Sequence, residues 1–351
     1  MKKMKEWQKV LLGVAVFVVL AFVADRGFGC LSEKFYYSSK YGIFRRNIYC
    51  LTESKDEVLI FGSSRAAHHY VPQVFEDSLG LSCYNCGSDG ECIYYHYAIL
   101  SSYIERGDLP KMVVLDVNSS DVCVSHTGTF DLDCALDRLA PHYGQYASID
   151  SLFALNGWKE TLKMNLMTYR YNSKLVQAIK CNFIPWPEDR GYEALIGSSL
   201  DSTDVFKISD EMDAAEYEEN KIVYLRKFIS ACKDNGIPMV IAHSPSFGYT
   251  PSEGLDYIRS VALEYGVPYL DYGKDERFMS PRLFKDGSHL NDEGAKSYSV
   301  AVVAEIKKLL LHLQYQKGLI HTAASNDFSI REGSVHGQWV WIALFAYGRY
   351  V

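Results

Sequence analysis

A serine that follows a buried strand is the first feature of this sequence that can do chemistry. The apolar run "VLIF" at 58–61 leads into "GSSR", which puts Gly62 before Ser63 and Ser64. A strand, a turn and a helix in this order expose the Ser64 hydroxyl above the sheet edge, where the helix amides favour an alkoxide. A phosphate-binding loop needs a longer glycine-rich run and a lysine, which this stretch lacks. The pattern predicts a nucleophile, or else an ordinary serine N-cap.

A second polar cluster, near the carboxyl end, supplies the base that such a serine needs. "KDGSHLND" places Asp286 three residues before His289, on a loop that enters a helix with Asn291 as its N-cap. At that offset the carboxylate can accept the Nδ1 proton of His289, which leaves Nε2 to act as a base toward Ser64. A lone histidine in such a turn is more often structural, so the prediction depends on the pair of clusters.

Two further motifs offer hydrogen-bond donors for a developing oxyanion. "YNCGSDGE" contains Gly90, whose backbone amide can approach a ligand closely. "VLDVNSSD" contains Asn118, whose side-chain amide is a donor. Each motif alone is a turn signal. Taken in chain order, the four motifs provide a nucleophile, two amide donors and an acid–base pair.

The elements that must position these residues follow from the hydrophobic pattern. Five apolar runs read as buried strands, at 57–62, 82–87, 112–117, 239–244 and 267–272. Stretches with helical spacing lie between them, at 92–106, 213–235, 253–265 and 292–313. Alternating strands and helices predict a doubly wound, three-layer α/β/α sandwich with a five-stranded parallel sheet. In such folds ligands bind at the carboxyl ends of the strands, where the four motifs fall.

A long connection interrupts this alternation at about 122–210. We interpret it as an insertion that covers or shapes the site, or as a surface excursion without function. Trp186 and Tyr192 within it can stack on sugars, or can belong to an aromatic patch over the core. Among the residues after Ser64, Arg65 can hold an anionic group or fix the turn, and His69 can line the cleft or pack inside.

The amino terminus has the composition of a membrane-targeting segment. Residues 1–9 are basic and are predicted to be cytoplasmic, and 10–25 is apolar and predicted to be a transmembrane signal anchor. A cleaved signal peptide is the alternative. Residues 26–55 are predicted to be a stalk, 56–313 the main domain, and 314–351 a tail to which we assign no role. The positive-inside rule places everything after the anchor outside the cytoplasm.

Charge and cysteine content exclude some classes of function. The chain has 351 residues and a net charge of -7, so no basic field exists to hold a nucleic acid. Cys83 and Cys86 form a CxxC, but no second pair stands at zinc-binding spacing, so we predict no metal. In an oxidising compartment the nine cysteines are expected to be buried thiols, with a disulfide possible for some.

The four motifs together resemble the sequence blocks of the SGNH hydrolases, also called the GDSL-like family, from about Asp56 to Leu313. "GSS" matches the first block, Gly-Asp-Ser, with Ser63 at the aspartate position, and implies Ser64 as nucleophile. "DGSH" matches the fifth block, Asp-x-x-His, and implies the roles of Asp286 and His289. The resemblance implies a flavodoxin-like parallel sheet and no metal or organic cofactor.

The middle blocks match less closely. Gly90 corresponds to the second-block glycine, so the oxyanion hole would use the amides of Ser64 and Gly90. In the third block, aligning Asp121 puts Ser120 at the asparagine position, whereas chemistry favours Asn118, and both remain open. The "GSSR" form and the anchor resemble branches that add or remove acyl groups on extracytoplasmic glycans.

The resemblance implies a serine esterase that removes acyl groups, most often acetyl, from a glycan or a small ester on the extracytoplasmic side of the membrane. Two alternatives remain. The same acyl-enzyme can pass its acyl group to a sugar hydroxyl of a cell-envelope polysaccharide, or the fold can be retained in a glycan-binding protein without catalysis. The partners expected are thus an acylated substrate and the membrane.

Overall fold

In the computed structural model, which describes residues 4–125, 131–172 and 174–326, the five apolar runs form one sheet. The strands are β1 (Val58–Phe61), β2 (Cys83–Asn85), β3 (Met112–Asp116), β4 (Met239–His243) and β5 (Tyr269–Asp271). All pairings are parallel and the order is β2-β1-β3-β4-β5, as in flavodoxin-like sheets. Every residue of β1 to β4 is buried, which is expected where helices cover both faces of a parallel sheet.

Helices surround the sheet, which confirms the predicted three-layer α/β/α class. In chain order the α-helices of the described residues are α1 (Glu6–Tyr37), α2 (Gly42–Ile48), α3 (Ser64–His69), α4 (Pro72–Leu79), α5 (Ile93–Arg106), α6 (Leu132–Leu139), α7 (Ala147–Leu155), α8 (Trp158–Lys163), α9 (Met167–Arg170), α10 (Lys174–Phe183), α11 (Glu219–Asp234), α12 (Glu253–Tyr265) and α13 (Asp292–Asn326). The reversal of strand order between β1 and β3 creates the crevice in which such folds bind ligands.

Two predicted helices have different bounds in the structure. The helix expected from residue 213 begins only at Glu219, because the backbone of Asp213 instead pairs with that of Ser252 in an isolated bridge. The last helix continues to Asn326, so the segment predicted as a tail begins inside α13. The remainder of that tail, residues 327–351, lies outside the described residues.

The chain divides into two compact units. One, which we call the N-terminal unit, combines the residues up to Tyr49 with Leu136–Trp186. The other, the sheet unit, combines Cys50–Ala135 with the residues from Pro187 onward. Most of the segment predicted as a stalk is therefore helical and packs with part of the segment predicted as an insertion.

The N-terminal unit has a core of its own. Tyr36 near the end of α1 packs with Phe44, Tyr171, Ala178 and Cys181. The hydroxyl of Tyr36 lies 3.0 Å from Nε2 of His142 although 106 positions separate them. By its length and composition, α1 is able to cross a membrane, and the apolar stretch at its start is exposed.

Candidate active site

Ser64 is the first residue of α3, in the turn that follows β1. The turn depends on Gly62, which has a φ of 141° and is enclosed on both sides. A Cβ atom at Gly62 would lie 2.7 Å from the carbonyl oxygen of Asp116 and 2.8 Å from Cβ of Ala66. Because glycine has no side chain, the chain can turn sharply here from β1 into α3. Ser64 then occupies the first turn of α3, where the backbone amides have no intrahelical partner.

A chain of hydrogen bonds connects Ser64 to the predicted acid–base pair. Oγ of Ser64 lies 2.8 Å from Nε2 of His289. On the other side of the ring, Nδ1 lies 3.0 Å from Oδ1 and 3.1 Å from Oδ2 of Asp286. A carboxylate can only accept, so Nδ1 carries the proton and Nε2 accepts from the serine hydroxyl. The structure thus brings the three predicted catalytic residues together.

The carboxylate of Asp286 is oriented by its own loop. Its Oδ1 accepts the backbone amides of Ser288 at 2.8 Å and of His289 at 2.9 Å. Partial burial favours the neutral acid, but the hydrogen bonds from Ser288 and His289 outweigh it and lower the pKa of Asp286. The residue is therefore ionised at neutral pH and favours the Nδ1-protonated tautomer of His289.

His69, predicted as a possible substrate contact, instead lies fully buried beneath this loop. Its Nε2 accepts the amide of Leu290, the residue after His289, at 3.0 Å, and its Nδ1 lies 3.1 Å from Oγ of Ser244. Burial and the nearby charge of Arg65 lower the pKa of His69 well below its usual range, so the ring is neutral. Because both ring nitrogens are engaged inside the protein, His69 has no group left for a substrate.

Asn118 presents its side-chain amide to the serine turn. Its Nδ2 lies 3.4 Å from Oγ of Ser63, and its Oδ1 accepts the backbone amide of Ser120 at 2.9 Å. The hydroxyl of Ser120 also donates to Oδ1 of Asn118. The backbone amide of Asn118 in turn donates to Oδ2 of Asp121 at 2.9 Å. Asn118 and Ser120 were the two alternatives for the third-block donor. Asn118 directs its side-chain amide toward the serine turn, and Ser120 orients that amide.

Gly90 lies in the loop after β2, in a left-handed conformation with a φ of 71°. Within the described ranges no hydrogen bond joins Gly90 directly to Ser64. Gly87, three residues earlier in the same loop, packs directly on α3, since an added Cβ atom there would lie 2.5 Å from the amide nitrogen of Ala67. The role predicted for the Gly90 amide as an oxyanion donor stays a prediction.

Arg65 has the structural one of its two predicted roles. Its side chain is buried and its Nη2 donates to the carbonyl of Val117 at 2.7 Å. Its Nη1 donates to the carbonyl of Ser244 at 3.2 Å, and its Nε lies 3.9 Å from Oδ1 of Asp116. The guanidinium thus connects the carboxyl ends of β3 and β4. These hydrogen bonds are made within the protein and not to a substrate.

The two aromatic residues proposed for sugar stacking lie in different units. Tyr192, in the sheet unit, is 5% exposed, and its hydroxyl donates to Oδ1 of Asp292 at 3.1 Å, so its ring faces are covered. Trp186, in the N-terminal unit, is half exposed. Tyr192 is therefore a packing residue, because a buried ring offers no face for a sugar.

His68, the other histidine that the sequence places in the helix after Ser64, is a direct neighbour of the site. Its ring meets that of His289 edge to face, with centroids 5.6 Å apart. Its Nδ1 lies 2.7 Å from the carbonyl of Glu193, and its Nε2 lies 3.3 Å from Oδ1 of Asp89. Burial disfavours the charged ring, but the hydrogen bonds with Asp89 and Glu193 raise the pKa of His68. It thereby holds Asp89, the residue before Gly90, beside the site.

The nine cysteines are free thiols. Cys86 of the predicted CxxC lies with its sulfur 3.6 Å from that of Cys50, and both are buried. In the described part of the chain, no group of three or more His, Cys, Asp or Glu side chains is arranged to hold a metal ion. In comparisons with known proteins, no family model, no curated protein and no solved structure matches this chain.

Proposed function

We propose that this protein is a serine esterase of the SGNH type that removes acyl groups from an extracytoplasmic glycan. The observation that carries the proposal is the hydrogen-bond chain from Ser64 through His289 to Asp286, with Oγ of Ser64 2.8 Å from Nε2 of His289. Acyl transfer through a serine requires a serine, a histidine and a carboxylate hydrogen-bonded in this order. Here they lie together at the carboxyl edge of a parallel sheet.

In the proposed reaction Oγ of Ser64 attacks the ester carbonyl while Nε2 of His289 takes the hydroxyl proton. The tetrahedral intermediate collapses when His289 returns this proton to the leaving alcohol, which leaves the acyl group on Ser64 as an ester. Water, deprotonated by the same Nε2, then attacks the acyl-enzyme and releases the carboxylic acid. Asp286 keeps the ring in the required tautomer and stabilises the imidazolium that forms twice in the cycle.

Stabilisation of the oxyanion is assigned to the amides near the serine. The backbone amide of Ser64 is in the first turn of α3, and Nδ2 of Asn118 lies at the neighbouring Ser63. The Gly90 amide, on the loop that His68 holds through Asp89, is the third proposed donor. Donors fixed in place before the reaction lower the barrier because they need no reorganisation when charge develops.

Two features bear on the alternatives. The side chains of His289 and Asp286 are 24% and 46% exposed, so water reaches the base, which favours hydrolysis over transfer to a sugar hydroxyl. A glycan-binding protein without catalysis has no need for a serine hydroxyl within 2.8 Å of a histidine oriented by a carboxylate. The exposed apolar part of α1 supports a single-pass membrane anchor, with the sheet unit on the extracytoplasmic side as the lysines of residues 1–9 predict.

Hydrolysis of p-nitrophenyl acetate by the full chain in detergent tests the proposal. We expect turnover that falls by at least about 10³-fold in Ser64→Ala and in His289→Ala. Ser260→Ala, an exposed serine on α12, is the matched control and should keep full activity. A single stoichiometric burst that needs Ser64 would favour transfer to an absent acceptor. If the wild-type chain shows no turnover and a fluorophosphonate does not label Ser64, the proposal of a serine hydrolase is contradicted.

A further inference from the structure

The N-terminal unit exposes a run of large apolar side chains between α7 and α9. Leu155 is 40% exposed, Trp158 71%, Leu162 60% and Leu166 51%. We call these four residues the apolar patch. Trp158 and Leu162 are four positions apart on α8 and therefore share one helix face, while Leu155 ends α7 and Leu166 directly precedes α9. Exposed apolar groups concentrated in this way mark an interaction surface more often than chance.

Hydrogen bonds hold the apolar patch at one level along α1. The carboxylate of Asp25 accepts the backbone amides of Met167 at 3.1 Å and of Thr168 at 2.9 Å, at the start of α9. The guanidinium of Arg26 donates to the carbonyl of Asn165 at 3.0 Å. Leu166 stands between these two attachment points, so the Leu166 end of the patch lies beside the turn of α1 that contains Asp25.

Asp25 is also the point at which α1 changes its surroundings. Before it, from Val10 to Val23, the large apolar side chains of α1 are exposed. After it, one face of α1 packs on the unit, since an added Cβ atom at Gly29 would overlap the side chain of Met167 and Tyr36 enters the core, while Phe28 and Leu31 stay exposed on the other side. If the exposed part of α1 spans a bilayer, the membrane surface meets the unit at Asp25, at the level of the apolar patch.

We propose that Leu155, Trp158, Leu162 and Leu166 insert into the lipid interface of the same membrane that α1 crosses. This inference rests on the membrane anchor of the proposed function, and it adds a second attachment that holds the unit against the bilayer. Tryptophan is enriched at this depth because its ring is apolar and its N–H reaches polar headgroups. Lys159 lies next to Trp158, where an ammonium can meet lipid phosphates. The occupant of the patch is thus a phospholipid surface.

Trp186 is a matched control in the same unit. Trp186 is 52% exposed but lies against Gly42, since a Cβ atom added to Gly42 would be 3.8 Å from the Cβ atom of Trp186. Gly42 follows the end of α1 at Tyr37, which is roughly 18 Å along the helix from Asp25 at 1.5 Å per residue. A bilayer that ends at the level of Asp25 would leave Trp186 in water.

The test uses the full chain in phospholipid nanodiscs whose lipids carry bromine atoms in their acyl chains near the headgroup. Three versions of the chain each keep one tryptophan, Trp7, Trp158 or Trp186, with the others changed to Phe. We expect bromine to quench the fluorescence of Trp158 about as strongly as that of Trp7, and that of Trp186 at most a third as much. Leu162→Asp and Leu166→Asp in the Trp158 chain should reduce the quenching of Trp158.

Each result decides between the patch and the anchor. If Trp7 is quenched and Trp158 is not, the patch does not enter the membrane although the anchor does, and the inference is wrong. Equal quenching of Trp158 and Trp186 would also overturn it, because the unit would then lie in lipid without a preferred face. If neither Trp7 nor Trp158 is quenched, the anchor itself fails. The esterase assay is independent of all three results.

Discussion

The Nε2 atom of His69 accepts the backbone amide of Leu290 at 3.0 Å, across 221 positions of sequence. Leu290 directly follows His289, so this bond holds the backbone of the loop on which the proposed base stands. The ring is neutral because burial lowers its pKa, and a neutral ring with its proton on Nδ1 is required to accept at Nε2. We therefore expect His69 to act through His289, as a positioning residue.

We therefore predict that His69→Gln lowers kcat for p-nitrophenyl acetate by roughly 10- to 100-fold with KM within about twofold, because small displacements of a base are costly. The labelling rate of Ser64 by a fluorophosphonate should fall in parallel, at temperatures where the variant is folded. His96→Leu is the matched control, since His96 is also fully buried and, among the described residues, its ring nitrogens have no partner. Equal losses in both variants would indicate a merely structural role for His69.

The third-block ambiguity can be resolved by two single substitutions. Asn118→Ala removes the amide that lies at Ser63 and should lower kcat by about 10²- to 10³-fold, as expected for an oxyanion donor. Ser120→Ala leaves the Ser120 backbone amide bonded to Oδ1 of Asn118, so its loss should stay within about tenfold. The measurement is steady-state hydrolysis at saturating substrate. The opposite ranking would assign the donor to Ser120.

Much of the fold was predictable because a parallel sheet is buried on both faces. Each predicted strand stands in the structure, shortened at one or both ends, since apolar runs such as "MVIAHS" mark buried backbone directly. The N-terminal unit was not predictable. Its core joins Tyr36 to His142 and Cys181, residues separated by more than a hundred positions, and no local pattern carries such a contact.

The candidate site also has a part that the sequence predicts and a part that it does not. Asp286 and His289 stand three residues apart and Ser64 follows a strand–glycine turn, so the roles proposed for them are visible in short motifs. The functions of His69 and Arg65 depend on Leu290, Ser244 and other backbone groups that come from distant strands and loops, and residue type alone left them open. Polar side chains near a site are predictable in kind, but the atom that each one contacts requires the fold.

Two glycines of the site should differ sharply in their tolerance of a methyl group. Gly62→Ala places Cβ within 3 Å of Asp116 and Ala66 at a φ of 141°, and should destabilise the chain by about 2 to 4 kcal/mol. Gly90→Ala meets no atom within 4 Å and costs only the left-handed backbone, roughly 1 kcal/mol. Urea unfolding of the full chain in detergent measures both. Similar losses would mean that the turn at Gly62 relaxes to admit a side chain.

Asp121 should make stability depend on pH in the direction opposite to most carboxylates. Burial raises the pKa of Asp121 to about 6, although the hydrogen bond from the backbone amide of Asn118 lowers it. Between the usual aspartate pKa near 4 and this value, the folded chain holds a proton that the unfolded chain has lost. Stability from this group is therefore present at low pH and declines as pH rises to about 6.

Asp121→Asn keeps an acceptor for the Asn118 amide but cannot ionise, so it should escape this decline. We predict that the free energy of unfolding of the variant, relative to wild type, rises by about 2 to 3 kcal/mol between pH 4 and pH 7, which is most of the two-unit pKa shift converted to free energy. Urea unfolding of both chains at pH 4, 5.5 and 7 measures the difference. A difference that does not change with pH would show that Asp121 is ionised throughout, stabilised by the charge of Lys221 and the Asn118 amide despite its burial.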